Sequence, residues 1–224
     1  MINISSSISL RLLGICLAVA ALAGCATGRD VIAPKFEAAV NPAQGVPVRI
    51  VKVEDTRNFQ VKPGSPSTPS LMDDQLNDEA IRARAIARKR NGYGMALGDI
   101  LVPEGQTVST LTETVVARAF RESGFRVVAA NDADYASAVP VTVRINKLWA
   151  WLEMGFVLGV SSNYEVVLAG PIAPLQQGLT VSGQVKETAL VVTESVWVDI
   201  ISKSLEDMYG NLKTKLARQT SPVR

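Results

Sequence analysis

The stretch Leu22-Ala23-Gly24-Cys25 decides which part of this chain is ever available to fold. Arg11 is the only charged side chain before Cys25, and residues 12–24 form an unbroken run of apolar and small residues. A charge followed by such a run is the pattern of a secretory leader. The 13 residues of the run fall short of the roughly 20 that a helix needs to cross a bilayer. A retained transmembrane anchor is therefore the weaker reading. If the chain is cut before Cys25, Cys16 leaves with the leader and no second cysteine remains, so an intramolecular disulfide is excluded whatever the compartment.

Small residues at Ala23 and Gly24, with Leu22 one step back, directly before a cysteine, resemble the lipobox of bacterial lipoproteins. That resemblance implies cleavage before Cys25 and acylation of its thiol and its new amino group. Several acyl chains on one residue hold a protein on a membrane where one chain gives only reversible binding. The other reading of Cys25 is a buried apolar cysteine or half of a disulfide with Cys16. Ala26 and Thr27 follow the cysteine, without the Asp that retains enterobacterial lipoproteins in the inner membrane. The resemblance therefore implies an outer-membrane location on the periplasmic face. The expected organisation is a leader over 1–24, a flexible tether over 25–45, one domain over 46–219 with a long loop insertion at 58–105, and a tail over 220–224.

Without its leader the chain has 200 residues, enough for one domain with a real core. Its charge is close to balanced, with 22 basic against 21 acidic residues, which argues against nucleic acid as a partner. The chain has no histidine. That removes the commonest general base and the usual ligands of catalytic zinc. No metal site, cofactor or catalytic residue is expected.

From Val46 to Arg57 the alternation of Val48, Ile50 and Val53 with Arg49 and Lys52 reads as a strand, with a slip around Val51 that marks a bulge. Residues 63–69 are a loop by composition. Acidic Asp73, Asp74, Asp78 and Glu79 then precede Arg82, Arg84, Arg88, Lys89 and Arg90, a spacing that predicts a charged helix over 77–90 followed by a sharp bend at 91–99. A second helix is predicted over 108–123, capped by Thr110 with Glu113 or by Thr107, with Gly124 ending it. A short strand over 125–130 follows. Asp132 and Asp134 lie in a loop, where a solvated turn outweighs a cation or acid–base site.

The strongest strand signal is 139–152, with Val141, Val143 and Ile145 on one face. In an unbroken register Trp149 and Trp151 extend that row; otherwise, with Met154, Gly155 and Phe156, they make a lipid-facing lip. A turn at Gly159, Ser161 and Ser162, a strand over 163–169, a further turn and a strand over 180–187 complete a meander. A long helix over 194–217 closes the chain, with Trp197, Ile201, Leu205, Met208, Leu212 and Leu216 on one stripe. The expected fold class is α+β, an antiparallel sheet of about four to five strands with two helices packed on one face.

The lipobox, the strand ending Asp55-Thr56-Arg57, the helix before Gly124 with Phe125-Arg126-Val127 after it, and the meander before a C-terminal helix resemble the YajG-type bacterial lipoproteins. That resemblance implies a periplasm-facing outer-membrane lipoprotein and brings no catalytic residue. The function expected is a non-enzymatic binding or structural role in the cell envelope, held to the bilayer through Cys25, with an envelope protein or anionic lipid as partner. Arg82, Arg84, Arg88, Lys89 and Arg90 are the candidate contacts for an anionic partner; the alternative is a solvated helix face balanced by the acidic residues before it. A second reading is an accessory of lipid or lipopolysaccharide transport, with a groove lined by Trp149, Trp151 and Phe156. A hydrolase is the least supported. Gly92, Gly94 and Gly98 lack the Lys-Ser/Thr of a phosphate loop, and Ser161-Ser162 would need Lys147 or Lys186 as its base.

Overall fold

The computed structural model describes residues 28–42, 44–155 and 158–217. Leu22, Ala23, Gly24 and Cys25, and with them the leader and its cleavage site, lie outside the described residues, as do Phe156 and the tail. Helices and strands both contribute. The strands are β1 (Asp30–Val31), β2 (Val46–Asp55), β3 (Ala85–Arg90), β4 (Ala96–Leu101), β5 (Phe125–Val127), β6 (Val139–Glu153), β7 (Leu158–Ala169) and β8 (Leu179–Ala189). The helices are α1 (Glu79–Arg84), α2 (Val108–Glu122) and α3 (Glu194–Ala217).

All eight strands belong to one sheet, and β6 is its axis. Along one edge β6 pairs antiparallel with β7, which pairs antiparallel with β8. Along the other edge it pairs in parallel first with β2, up to Ile145, and then with β3 at Ala150. β2 carries β5, β3 carries β4, and β4 carries β1. The sheet is thus larger than the four to five strands expected, and mixed. The meander β6–β7–β8 is antiparallel because short turns join it. β2 and β6 run parallel because everything from α1 through α2 to β5 lies between them, a crossover long enough to return the chain in the same direction.

The main core lies between one face of this sheet and the pair α2–α3, which pack on each other and on that face. Thr107 is the N-cap of α2, sharing a reciprocal capping box with Thr110, so the earlier of the two predicted starts holds. Gly124 takes φ +86° just past the helix and turns the chain into β5. α3 runs unbroken through Gly210 and buries the predicted stripe of Trp197, Ile201, Leu205, Met208, Leu212 and Leu216. The register of β2 against β6 slips between Ile50 and Lys52, so Val51 is the bulge that its alternation predicted.

A second slip, between Ile145 and Lys147 in β6, was not predicted and has larger consequences. It inverts the alternation. Leu148 and Ala150 continue the row of Val141, Val143 and Ile145 into the main core, while Trp149 and Trp151 turn to the opposite face. There they are buried under residues 59–84, packed with Leu71, Ala85 and Leu101 and flanked by Phe59, Leu76 and Ile81. Phe59 meets the Trp149 ring edge-on at 5.9 Å, and the Trp149 indole N–H donates to the Pro66 carbonyl at 3.2 Å. The tryptophans therefore neither extend the main-core row nor form a lip. The expected loop insertion at 58–105 is thus no loop: its first part, to Arg84, covers this second core, and the rest supplies strands β3 and β4 of the sheet.

Where β2 ends and β3 begins along the same edge of β6, Arg57 fills the gap. Its Nε and Nη2 donate to the two Asp55 carboxylate oxygens at 2.8 and 2.7 Å. Nη1 donates to the Ala85 and Leu148 carbonyls at 2.6 and 3.1 Å, and Nη2 also to the Arg82 carbonyl at 3.1 Å. All five guanidinium donors are used, so the buried charge is both paired and hydrogen-bonded. Asp55-Thr56-Arg57 thereby joins two strands that do not touch.

The stretch expected as a tether is seated on the domain. Gly28 N–H donates to the Leu97 carbonyl at 2.8 Å, β1 pairs with β4, and Ile32 is buried in the main core. Phe36 then meets the Tyr209 ring at 6.2 Å, and the Asn41 side chain bonds both the N–H and the carbonyl of Val127 at 2.9 Å. Gly98 is required here, since a Cβ on it would lie 1.7 Å from the Gly28 carbonyl oxygen. Pro34 and Pro42 kept this stretch from a helical or alternating pattern without keeping it off the domain.

Candidate functional site

The β3–β4 hairpin dominates the surface relief. Asn91 makes its turn: the Asn91 Oδ1 accepts from the N–H groups of Tyr93 and Met95, each at 3.0 Å, and Gly94 takes φ +78°. This is the turn chemistry of Asn and Gly. Residues 85–90 are therefore a strand, and the predicted helix over 77–90 ends at Arg84. Capping by Asp78 at its start is present, but Ala85, Ile86 and Ala87 are buried between the two cores, and that burial outweighs the helical charge spacing.

The five basic residues accordingly do not share one solvated face. Arg82 is exposed beside the Phe59 ring, and the Arg84 Nε donates to the Val102 carbonyl at 2.9 Å. Lys89 points to one side of the hairpin and pairs with Asp30 at 3.0 Å. Arg88 and Arg90 line the other side. Arg90 donates to the Gly94 carbonyl and the Ser70 hydroxyl, both at 2.8 Å. Its balance of bonds makes it part of the turn.

Arg88 differs. It is only 5% exposed and stands directly opposite Asp99 in the hairpin, Nε to Oδ1 at 3.3 Å. Neither its Nε nor its Nη1 has a hydrogen-bond partner, and nor has the Asp99 Oδ1. Burial pushes the Asp99 carboxyl above its ordinary value, against the pull of Arg88, Arg29 and Lys89. A charge pair buried this deeply with donors left over carries a desolvation cost that its own contact does not fully offset.

Arg88 reaches a groove of about 500 Å³ whose other walls include Lys62, Met72, Asp73, Arg90, Tyr93 and Met95. Met72, Tyr93 and Met95 are among the most exposed large apolar side chains of the described residues. A cavity of about 440 Å³ on the Lys89 side runs between the hairpin, Leu152 and the start of α3 at Trp197. Met72, Met95 and Asp99 escaped sequence reading. Pairing about a two-residue Asn91–Gly92 turn sets Arg88 opposite Met95, four residues short of its partner Asp99, and nothing in the sequence marks the two methionines as exposed.

The remaining candidates fall elsewhere. Gly159, Ser161 and Ser162 lie within β7, so the predicted turn there is placed earlier, after Glu153. Ser161 is fully buried and donates to the Glu153 carboxylate at 2.8 Å. Lys186 also pairs with Glu153, whose carboxyl is held low chiefly by that bond, and Lys147 pairs with Glu165 at 3.3 Å. Neither lysine meets a serine as its base. The Asp132 carboxylate accepts from the Ala129 N–H at 2.7 Å, and Asp134 pairs with Arg126. No group of metal-ligating side chains occurs among the described residues. The groove expected from Trp149, Trp151 and Phe156 is not formed by the two tryptophans, which are buried.

Comparison with family models and with curated proteins gives no match. Among solved structures, the chain is similar to protein XCC0632 from Xanthomonas campestris, of family DUF330, at 11% identity and a TM-score of 0.47, over 85% of this chain and 97% of that one. It is also similar to an uncharacterized protein at 11% identity and a TM-score of 0.45, over 88% and 99% of the two chains.

Proposed function

We propose that this chain is a lipoprotein of the bacterial outer membrane, held through acyl chains on Cys25 and facing the periplasm, whose domain binds an anionic envelope component beside the β3–β4 hairpin. A YajG-like membership remains part of that reading. The observation that carries it is the groove, which gathers Lys62, Arg88 and Arg90 among walls built by Met72, Tyr93 and Met95, with Asp73 also on its lining. Apolar walls with a few convergent polar groups are the usual make-up of a binding cleft. The same mixture favours an amphiphile with an anionic head, which keeps an accessory role in lipid or lipopolysaccharide transport as the second reading, now on this groove.

Photo-crosslinking from position 72 in cells tests the groove, since Met72 is half exposed and lines it. A discrete adduct that disappears in R88Q/D99N supports the proposal; that pair removes both charges together and leaves no lone buried ion. An adduct pattern unchanged by it removes the groove as the site. The anchor is tested separately: Cys25→Ser abolishes acyl labelling, and Ala26→Asp redirects the protein to the inner membrane.

A further inference from the structure

The chain approaches the domain at one particular end of the sheet. β1 runs parallel to β4, so Gly28, hydrogen-bonded to Leu97, lies where β4 leaves the hairpin turn. Only Ala26 and Thr27 separate Gly28 from Cys25. Three residues of chain reach at most about 11 Å. An acylated Cys25 thus brings the bilayer to the hairpin tip, with no length of chain to hold the domain away.

What that end presents is unlike the rest of the surface. Four connections meet there: the loop at 61–66, the hairpin turn at 91–95, the segment that follows β6 at Met154, and the link from β8 to α3. They are neighbours. The hairpin turn and Met154 share the walls of one cavity, and the hairpin, Leu152 and Val192 share another. The last three carry no charge in their described residues, Asn91-Gly92-Tyr93-Gly94-Met95, Met154-Gly155 and Leu190-Val191-Val192-Thr193, and the loop at 61–66 carries Lys62. Tyr93 is 92% exposed and Leu190 94%, and Met95, Met154 and Val191 are exposed beside them. An apolar cluster of this kind marks a contact surface. At the opposite end Val40 and Val46 are exposed singly, while the other connections bury their apolar residues or carry charge. Leu175 is fully buried in the link from β7 to β8, and the loop before β6 holds Asp132 and Asp134.

We infer that the last three of these loops dock into the bilayer surface, with Tyr93, Met95, Met154, Leu190 and Val191 in the interfacial layer and the β6 axis standing away from the membrane. The inference rests on acylation at Cys25 for the membrane's position, and on the loops themselves for the contact. Tyr at an aqueous–apolar boundary keeps its ring in the apolar layer and its hydroxyl wet. The groove at Arg88 then opens beside the headgroups. Tyr93 and Met95 then belong to both surfaces, walling the groove on one side and meeting the lipid at the tip.

The full chain is expressed with Tyr93→Cys, Leu190→Cys or, at the far end, Gln176→Cys, and membranes are labelled with an environment-sensitive maleimide dye. All three positions are exposed, so the substitutions leave the cores intact. Spin-labelled phospholipid is then added as the quencher. Quenching at 93 and 190 several-fold stronger than at 176 is the expected result. Equal, weak quenching at all three positions overturns the inference. A dye at 93 that is shielded from water yet unquenched by lipid also overturns it, and points to a protein or a second copy of the chain on that end. Acyl labelling of Cys25 is read on the same membranes. Missing acyl chains sink the lipoprotein reading alone, since strong quenching at 93 and 190 without them still demonstrates docking.

Discussion

The two halves of β6 put one strand to different uses. Before the slip at Asn146 its alternate residues Val141, Val143 and Ile145 face α2 and α3, and the other face is polar with Thr142 and Arg144 exposed. After it, Leu148 and Ala150 keep the main core, while Trp149 and Trp151 give the opposite face a core of its own. A single bulged residue converts a one-sided strand into a two-sided one. The price of a second core is a cover, and the otherwise unpatterned stretch from Phe59 to Arg84 is that cover.

The sharpest way to break this arrangement is at the joint between the halves. Arg57→Met strands the Asp55 carboxylate and the carbonyls of Arg82, Ala85 and Leu148, and is expected to cost about 3–5 kcal/mol in denaturant unfolding. Arg57→Lys, with three donors in place of five, recovers only part of that loss. Next comes a matched pair, Leu148→Ala in the main core and Leu71→Ala in the second, each expected to cost about 2–5 kcal/mol. Because both cores rest on β6, the two variants should each shift one cooperative transition. An early, separate transition in Leu71→Ala alone would show the second core to be an independent appendage.

Gly98→Ala forces a methyl group against the Gly28 carbonyl and is expected to cost about 1–3 kcal/mol, with proteolysis at Arg29 accelerated before the rest of the chain opens. The smallest effect concerns acid. Glu122 on α2 binds Lys213 and Tyr209 of α3 and Arg118 of its own helix, and these bonds, Lys213 first, hold its carboxyl down to about 2 from an ordinary 4.5. A carboxyl lowered in the folded state stabilises fully above its unfolded value and loses that contribution as pH falls through the folded one. Wild type should therefore weaken between about pH 4.5 and 2, and Glu122→Gln should show a flatter profile in that window.

Most of the first core was legible in the sequence. α2 and α3 carry clean helical stripes, β2 shows its own bulge at Val51, and the meander follows from short turns. The second core was not. Its strand β3 carries four consecutive buried residues, Ala85, Ile86, Ala87 and Arg88, without period, and its basic residues mimic helical spacing. The inversion in β6 left no mark either, since Asn146 is an ordinary polar residue in an alternating strand. Of the candidate site, the hairpin's basic residues were visible, but not their division between its two sides. That division depends on the register of β3 with β4, which only the fold supplies. The tether was misread for a related reason: Ile32, Phe36 and Asn41 are isolated anchor points along an otherwise irregular stretch, and isolated points have no periodicity.

The seating of Gly28 along β4 also has a mechanical meaning. Tension on the chain from the side of Cys25 acts along the axis of β1, parallel to its partner strand, so it loads the bonds from Gly28 to Leu97 and from Ile32 to Leu101 together in shear. They cannot be peeled one at a time from that end. A domain clamped in this way would pass any pull on the chain before Gly28 into the sheet without unravelling from that end.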